Sequence, residues 1–149
     1  MKSAVVRMHG IAGGLAMVAI ATFWGATVVS EVLGNEAAIA SVKQGILWGM
    51  AVLIPLLIAT GASGVRLGGK WKSPAIVAKK RRMPFIALNG VLVLVPSAVF
   101  LAMRAGEGNF DAAFYGVQAL ELAAGAANLV LLGLNMRDGL RLRARRKAV

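Results

Sequence analysis

Polar side chains interrupt the last apolar segment of the chain, where one carboxyl and several amides could hold a proton or bind another helix. Steps of three and four residues place these side chains on one face of a helix, together with a glycine and a leucine. We name this face the polar stripe. Its members are Gln118, Glu121, Gly125, Asn128, Leu132 and Asn135. Because amides and carboxyls are costly in lipid, the polar stripe should point into a helical bundle or toward a partner.

Glu121 is the member of the polar stripe that could do chemistry. It lies nine residues past Ala112, which is about 14 Å along a helix that begins there and close to the midplane of a bilayer. With no Lys or Arg predicted at this depth, the neutral, protonated carboxyl is favoured. Glu121 would then either handle a proton or cation, or hold helices together. Asn89 should lie level with Asn128, and we expect their amides to hydrogen-bond.

His9 is the sole histidine of the chain. Its ordinary role would be an interfacial residue hydrogen-bonded to lipid headgroups or to a neighbouring helix end such as Asn135. Imidazole is also an axial ligand of haem iron, so His9 is a candidate ligand of haem b. The residues that could line such a pocket or bind the haem propionates are Gly13, Gly61, Gly64, Arg7 and Arg82.

Several kinds of chemistry are excluded by composition. The chain has no cysteine, which rules out disulfides, thiolate metal sites and cysteine nucleophiles. With a single histidine, no ligand set has the spacing of a zinc site. No acid and base pair can be argued from spacing either, so hydrolytic catalysis is not expected.

The elements that position these residues are apolar runs of about 20 residues, the length that an α-helix needs to cross a bilayer. The 149-residue chain is 58% hydrophobic with a mean hydropathy of +0.74. Its runs do not alternate as barrel strands would. The sequence predicts an all-α integral membrane protein, a single domain over 1–149, with a bundle of four transmembrane helices at 8–29, 44–65, 83–103 and 112–136.

The distribution of charge predicts how these spans are oriented. The formal net charge is +11, and of the 17 Lys and Arg residues only Lys43 and Arg104 lie between spans 1 and 2 or between spans 3 and 4. The others precede span 1, fill the segment 66–82 or belong to the tail 137–149. By the positive-inside rule both termini and the segment 66–82 are cytoplasmic.

This charge distribution also predicts where the protein lies and what it contacts. We expect a protein of the bacterial inner membrane whose basic segments contact anionic headgroups. Because no aromatic residues are interleaved with the basic ones for base stacking, we expect no nucleic acid.

Prolines and small residues predict local features of the spans. Pro55 and Pro96 fall near the centres of spans 2 and 3, and each should bend its helix. Gly10 and Gly14 in span 1 allow close approach of another helix. Phe114 and Tyr115, at the start of span 4, should form an aromatic anchor at the outer interface.

Three functions fit these features. The first is a non-catalytic accessory or assembly subunit that docks through its polar and glycine-rich helix faces, as a homo-oligomer or within a membrane complex. The second is a haem b electron-transfer protein with His9 as ligand. The third is a minimal proton-coupled transporter that uses Glu121. Four short spans with a histidine at the start of the first resemble the plan of small membrane b-type cytochromes. Those proteins usually carry several histidines on more than one helix, so this likeness assigns no residue of the chain.

Overall fold

Four long helices make up the protein, whose structure here is a computed structural model. It describes the backbone of residues 2–69 and 74–147 and the side chains of 4–69, 74–142 and 144. The helices are α1, Lys2–Leu33; α2, Glu36–Gly68; α3, Pro74–Gly106; and α4, Ala112–Lys147. Each is long and apolar enough to cross a membrane, and the described residues contain no strand. The prediction of an all-helical chain with four such helices is confirmed.

The helices pack in the cyclic order α1, α2, α3, α4, with α4 returning to α1. Two short connections, 34–35 and 107–111, lie at the end of the bundle that we name the acidic end, which carries Glu36, Glu107 and Asp111. The opposite end carries both chain termini and the connection from α2 to α3. We name it the basic end.

Helix α2 begins at Glu36, eight residues before the predicted span. Asn35 caps it, because its side-chain oxygen accepts a hydrogen bond from the Ala38 backbone N–H at 2.9 Å. Glu36 in the first turn also interacts favourably with the helix dipole. This early start brings Lys43, predicted to lie in a connecting segment, two turns inside the helix.

Helix α3 likewise begins earlier than predicted, at Pro74 instead of residue 83. Proline is favoured in the first turn of a helix, and long basic side chains can continue a helix beyond its apolar part. Most of the segment 66–82 is therefore helical, although residues 70–73 lie outside the described chain. The tail extends α4 as a helix to Lys147, and residues 148–149 are also outside the described part.

A π-helical stretch, Gly90–Leu94, divides α3 into the α-helical parts Pro74–Asn89 and Val95–Gly106. It ends where the Val95 N–H donates to the Gly90 carbonyl, five residues back. The next residue, Pro96, has no N–H to donate and would clash with a carbonyl in a regular turn. A π turn at this point is one way to accommodate the proline. By contrast, α2 stays α-helical through Pro55.

Phe114 anchors the core at the acidic end. Its side chain is fully buried and clusters with Ile39, Leu101 and Ala105 of α2 and α3. Phe114 therefore packs inside the bundle, because the first turn of α4 faces the other helices at this position, whereas Tyr115, the other residue of the predicted anchor, is exposed.

Asp111 begins α4 with a cap of its own. Its carboxylate accepts a hydrogen bond from the Phe114 N–H at 3.0 Å and pairs with Arg104 across the short connection. The backbone hydrogen bond and the nearby guanidinium lower the pKa of Asp111. The acidic end is thus closed by a charged contact between α3 and α4.

Candidate functional site

A buried ion pair joins α2 to the polar stripe of α4. The Lys43 ammonium lies 2.6 Å from Glu121 Oε2, and the two side chains are 1% and 13% exposed. Gln118, one turn earlier on α4, donates to the same carboxylate oxygen at 3.1 Å. One carboxylate oxygen therefore accepts from an ammonium and an amide inside the bundle.

Helix α1 completes this site with Thr27 and Glu31. The Thr27 hydroxyl oxygen lies 3.5 Å from the Lys43 ammonium, and Glu31, half-buried one turn further along α1, has its Oε1 inside the bundle. Thr27 and Glu31 are four residues apart and so share a helix face. We name Thr27, Glu31, Lys43, Gln118 and Glu121 the charged site.

The prediction that Glu121 is a carboxyl without a basic partner is wrong. Lys43 lies seven residues past the start of α2, about 10 Å along the helix, and Glu121 about 14 Å along α4. The long lysine side chain spans that difference in depth. Two signals could have revealed this: the capping sequence at Asn35 and Glu36, and the spacing of Lys43 with the buried residues Ile39, Ile46 and Met50 of α2.

Two acceptor atoms of the charged site lack a donor. Oε1 of Glu31 and Oε1 of Gln118 are both buried, and neither has a hydrogen-bond partner among the described residues. Buried polar atoms are normally satisfied. The site also combines one ammonium with two carboxyls, which would leave a net negative charge if both were ionised. One added proton would neutralise the charge and supply a donor.

Trp24 and Gly125 pack α1 against α4 next to the charged site. The indole N–H of Trp24 donates to the Leu122 carbonyl of α4 at 2.9 Å. Its ring lies against Gly125, where a Cβ would come within 3.0 Å of the indole. Glycine at this position of the polar stripe therefore allows α1 to pack on α4 directly beneath Glu121.

Deeper in the bundle, the hydrogen bond predicted between Asn89 and Asn128 is present. The Asn89 amide donates to Asn128 Oδ1 and to the Ala124 carbonyl, both at 2.9 Å. The Asn128 amide donates to the Ile86 carbonyl at 3.4 Å. These contacts join α3 to α4, and Asn128 is buried.

At the basic end the polar stripe meets a second ion pair between α3 and α4. Arg82 Nη1 lies 2.7 Å from Asp138 Oδ2 and 3.3 Å from Asn135 Oδ1. With Gln118, Asn128 and Asn135 all buried, the polar stripe faces the interior of its own bundle. Its hydrogen bonds are made largely within the chain.

His9 and the candidate haem residues are not brought together as a pocket. His9 Nδ1 lies 3.0 Å from the Ser63 hydroxyl and 3.1 Å from the Thr60 carbonyl of α2. A Cβ at Gly64 would come within 3.2 Å of the His9 ring, and one at Gly13 within 3.3 Å of Thr60. These glycines therefore allow α1 and α2 to pack directly at these two positions.

The other candidate haem residues also have different surroundings. Arg82 is bound to Asp138 on the far side of α3, and Arg7 is exposed. A Cβ added at Gly61 would meet no atom of the described neighbouring residues within 4 Å. Asn135, suggested as a partner of His9, instead contacts Arg82 and Met83.

Among the described residues, no group of three or more His, Asp or Glu side chains could hold a metal ion.

Comparisons with known proteins do not assign the chain to a family. No protein-family model, no curated protein and no solved structure matches this chain.

Proposed function

We propose that the protein carries protons across the bacterial inner membrane, with Glu31, Lys43 and Glu121 as the groups that hold and pass the proton. The observation that supports this most is the buried contact between Lys43 and Glu121, with the carboxyl of Glu31 one helical turn from Thr27, which also contacts Lys43. Ionisable residues inside a membrane bundle mark ion or proton pathways by default. The proposal follows the transporter hypothesis, with the proton as the transported ion.

The charge distribution supports an orientation with the acidic end, which is the end nearer to Glu31, on the outer side of the membrane. Lys79, Arg82 and Arg137 lie at the basic end, whereas the acidic end carries Glu36, Glu107 and Asp111. The positive-inside rule then assigns both termini and the basic end to the cytoplasm. In this orientation Glu31, two residues from the end of α1, lies close to the outer surface.

The net charge of the charged site, one ammonium with two carboxylates, favours the uptake of one proton. Burying an uncompensated charge is costly, and a buried group neutralises or pairs instead. Lys43 pairs with the Glu121 carboxylate, so the proton resides on Glu31. That proton also gives the half-buried Glu31 carboxyl a donor.

Lys43 can neutralise only one carboxylate at a time, and this provides a transfer step. A proton that enters at Glu31 passes to Glu121 as the Lys43 ammonium moves from Glu121 to Glu31. The bond broken is O–H on Glu31 and the bond formed is O–H on Glu121, so charge is conserved. The proton thereby passes from the carboxyl on α1, nearer the acidic end, to the carboxyl on α4, and its release on the basic side completes the passage.

Infrared spectroscopy tests the resting state of this site. We expect the wild-type protein near neutral pH to show the C=O stretch of a protonated carboxyl. Replacing Glu31 with Gln removes that band, because Lys43 and Glu121 then neutralise each other. The matched control, Glu107→Gln, alters an exposed carboxyl at the same end and keeps the band. A wild-type spectrum without the band, or a band that survives Glu31→Gln, would contradict the assignment.

A second candidate function is docking as an accessory subunit or homo-oligomer. The polar stripe gives it little support, because its polar groups bond within the chain. The glycines of α1 do support it: at Gly10 and Gly14 an added Cβ would meet nothing within 4 Å, and the nearby Ile11 is 64% exposed. A face of this kind allows close approach of another helix.

Photocrosslinking from position 11 in cells tests this docking. We expect an adduct with a second membrane helix that is lost in Gly14→Leu, because a larger side chain keeps the backbones apart. Gly133→Leu, at an open glycine of α4, serves as the control and retains the adduct. An adduct that is absent from the wild type, or insensitive to Gly14→Leu, argues against docking through this face.

The haem proposal lacks comparable support. Contacts at Gly13 and Gly64 close the space that it needs between α1 and α2. The hydrogen bonds of His9 to Thr60 and Ser63 serve to join these two helices.

A further inference from the structure

A groove between α3 and α4 opens at the basic end. It has a volume of about 460 Å³. Ala75, Ala78 and Leu142 form its apolar walls, and Arg82, Asp138 and Arg141 contribute its charged groups. The groove therefore combines an apolar cleft with guanidinium groups.

The charges at this groove are unequal. Asp138 pairs with Arg82 at 2.7 Å and lies 3.9 Å from Arg137, so a single carboxylate faces several cations. Arg141 is exposed, and Lys79 lies on the same side, with its ammonium 3.4 Å from the position of a Cβ at Gly139. The groove carries a net positive charge even with Asp138 ionised.

The ion pair prepares Arg82 for a further ligand. Asp138 and Asn135 both accept from Nη1 of Arg82, and this fixes the plane of the guanidinium. A guanidinium has five N–H donors in a fixed fork and suits the oxygens of a phosphate. Together with Arg141 one turn past Arg137 on α4, Arg82 can bind an anionic oxygen group from two sides.

We propose that this groove binds one anionic phospholipid, with its phosphodiester on Arg82 and Arg141 and an acyl chain along Ala75, Ala78 and Leu142. Basic pockets between transmembrane helices at a membrane surface bind such headgroups. A free phosphate would use the arginines alone and leave the apolar cleft uncovered. The apolar walls therefore favour a lipid over a soluble anion, and the site is independent of the proposed proton transfer.

Native mass spectrometry of the full chain in detergent tests this site. The probes are phosphatidylglycerol, phosphatidylcholine and inorganic phosphate. We expect one phosphatidylglycerol to be retained per wild-type chain. In Arg141→Ala we expect the affinity for phosphatidylglycerol to fall at least about ten-fold, as the loss of a charge-assisted hydrogen bond implies. Arg141 is exposed, so its replacement leaves the fold intact. Arg66→Ala, at an exposed arginine of the last turn of α2 at the same end, should bind as the wild type does.

Three outcomes would overturn the proposal. Equal retention of phosphatidylcholine would mean that the headgroup charge is not recognised. Equal weakening by Arg66→Ala and Arg141→Ala would mean that attraction is diffuse. Displacement of phosphatidylglycerol by inorganic phosphate at comparable concentration would mean that the groove is a site for a soluble anion.

Discussion

Replacing Lys43 with methionine should lower the free energy of unfolding by about 3–5 kcal/mol, the loss expected when one partner of a buried ion pair is removed. The ammonium is almost completely buried beside Glu121. Without it, the Glu121 carboxylate and the neighbouring Glu31 would be left in the bundle with no cation. Denaturant titration of the purified protein in mixed micelles measures this change.

The double variant Lys43→Met with Glu121→Met distinguishes the contribution of the ion pair itself from the cost of leaving one of its charges unpaired. Because replacement of a buried ion pair by apolar residues is often neutral or stabilising, we expect the second substitution to restore most of the stability. Lys80→Met, at an exposed lysine of α3, is the matched control and should change little. If Lys43→Met costs no more than Lys80→Met, the ion pair does not contribute to the fold as described.

The apolar runs were sufficient to predict the four helices. Four continuous runs of transmembrane length predict four helices because a bilayer-spanning segment must satisfy its own backbone. The spacing of the polar stripe also predicted its inward face and the contact between Asn89 and Asn128. Both inferences depend on one helix and its period, which the sequence shows directly.

The partner of Glu121 could not be predicted in the same way. Lys43 lies outside the apolar run of α2, and hydropathy alone begins the helix after it. The cap at Asn35 extends the helix past Lys43, and a flexible side chain then carries the ammonium toward the midplane. Depth estimated from the backbone position misses this reach, since the charge of a lysine lies several bonds from its Cα.

The role of the glycines could not be predicted from the sequence either. Small residues at one end of two helices fit either direct packing or a slot for a flat ligand. Which of the two applies depends on the side chains that face them. His9 lies against Gly64 and Thr60 against Gly13, and these contacts favour direct packing.

Replacing Glu121 with Gln should abolish proton transfer. A glutamine can neither take the proton from Glu31 nor pair as an anion with Lys43, so the exchange of the ammonium between two carboxylates is impossible. Lys43 can still pair with the Glu31 carboxylate, and the amide at residue 121 still accepts from Gln118, so the bundle is expected to fold. Glu31→Gln, which leaves the pair of Lys43 with Glu121 intact, provides a second variant that should also be inactive.

The most direct test of the central claim is proton uptake into proteoliposomes driven by a potassium diffusion potential and followed with an internal pH-sensitive dye. The account predicts that the wild type and Glu107→Gln acidify the lumen, whereas Glu121→Gln and Glu31→Gln, reconstituted at the same density, behave as protein-free liposomes. Wild-type uptake no faster than that of protein-free liposomes, or undiminished uptake by folded Glu121→Gln, would contradict it.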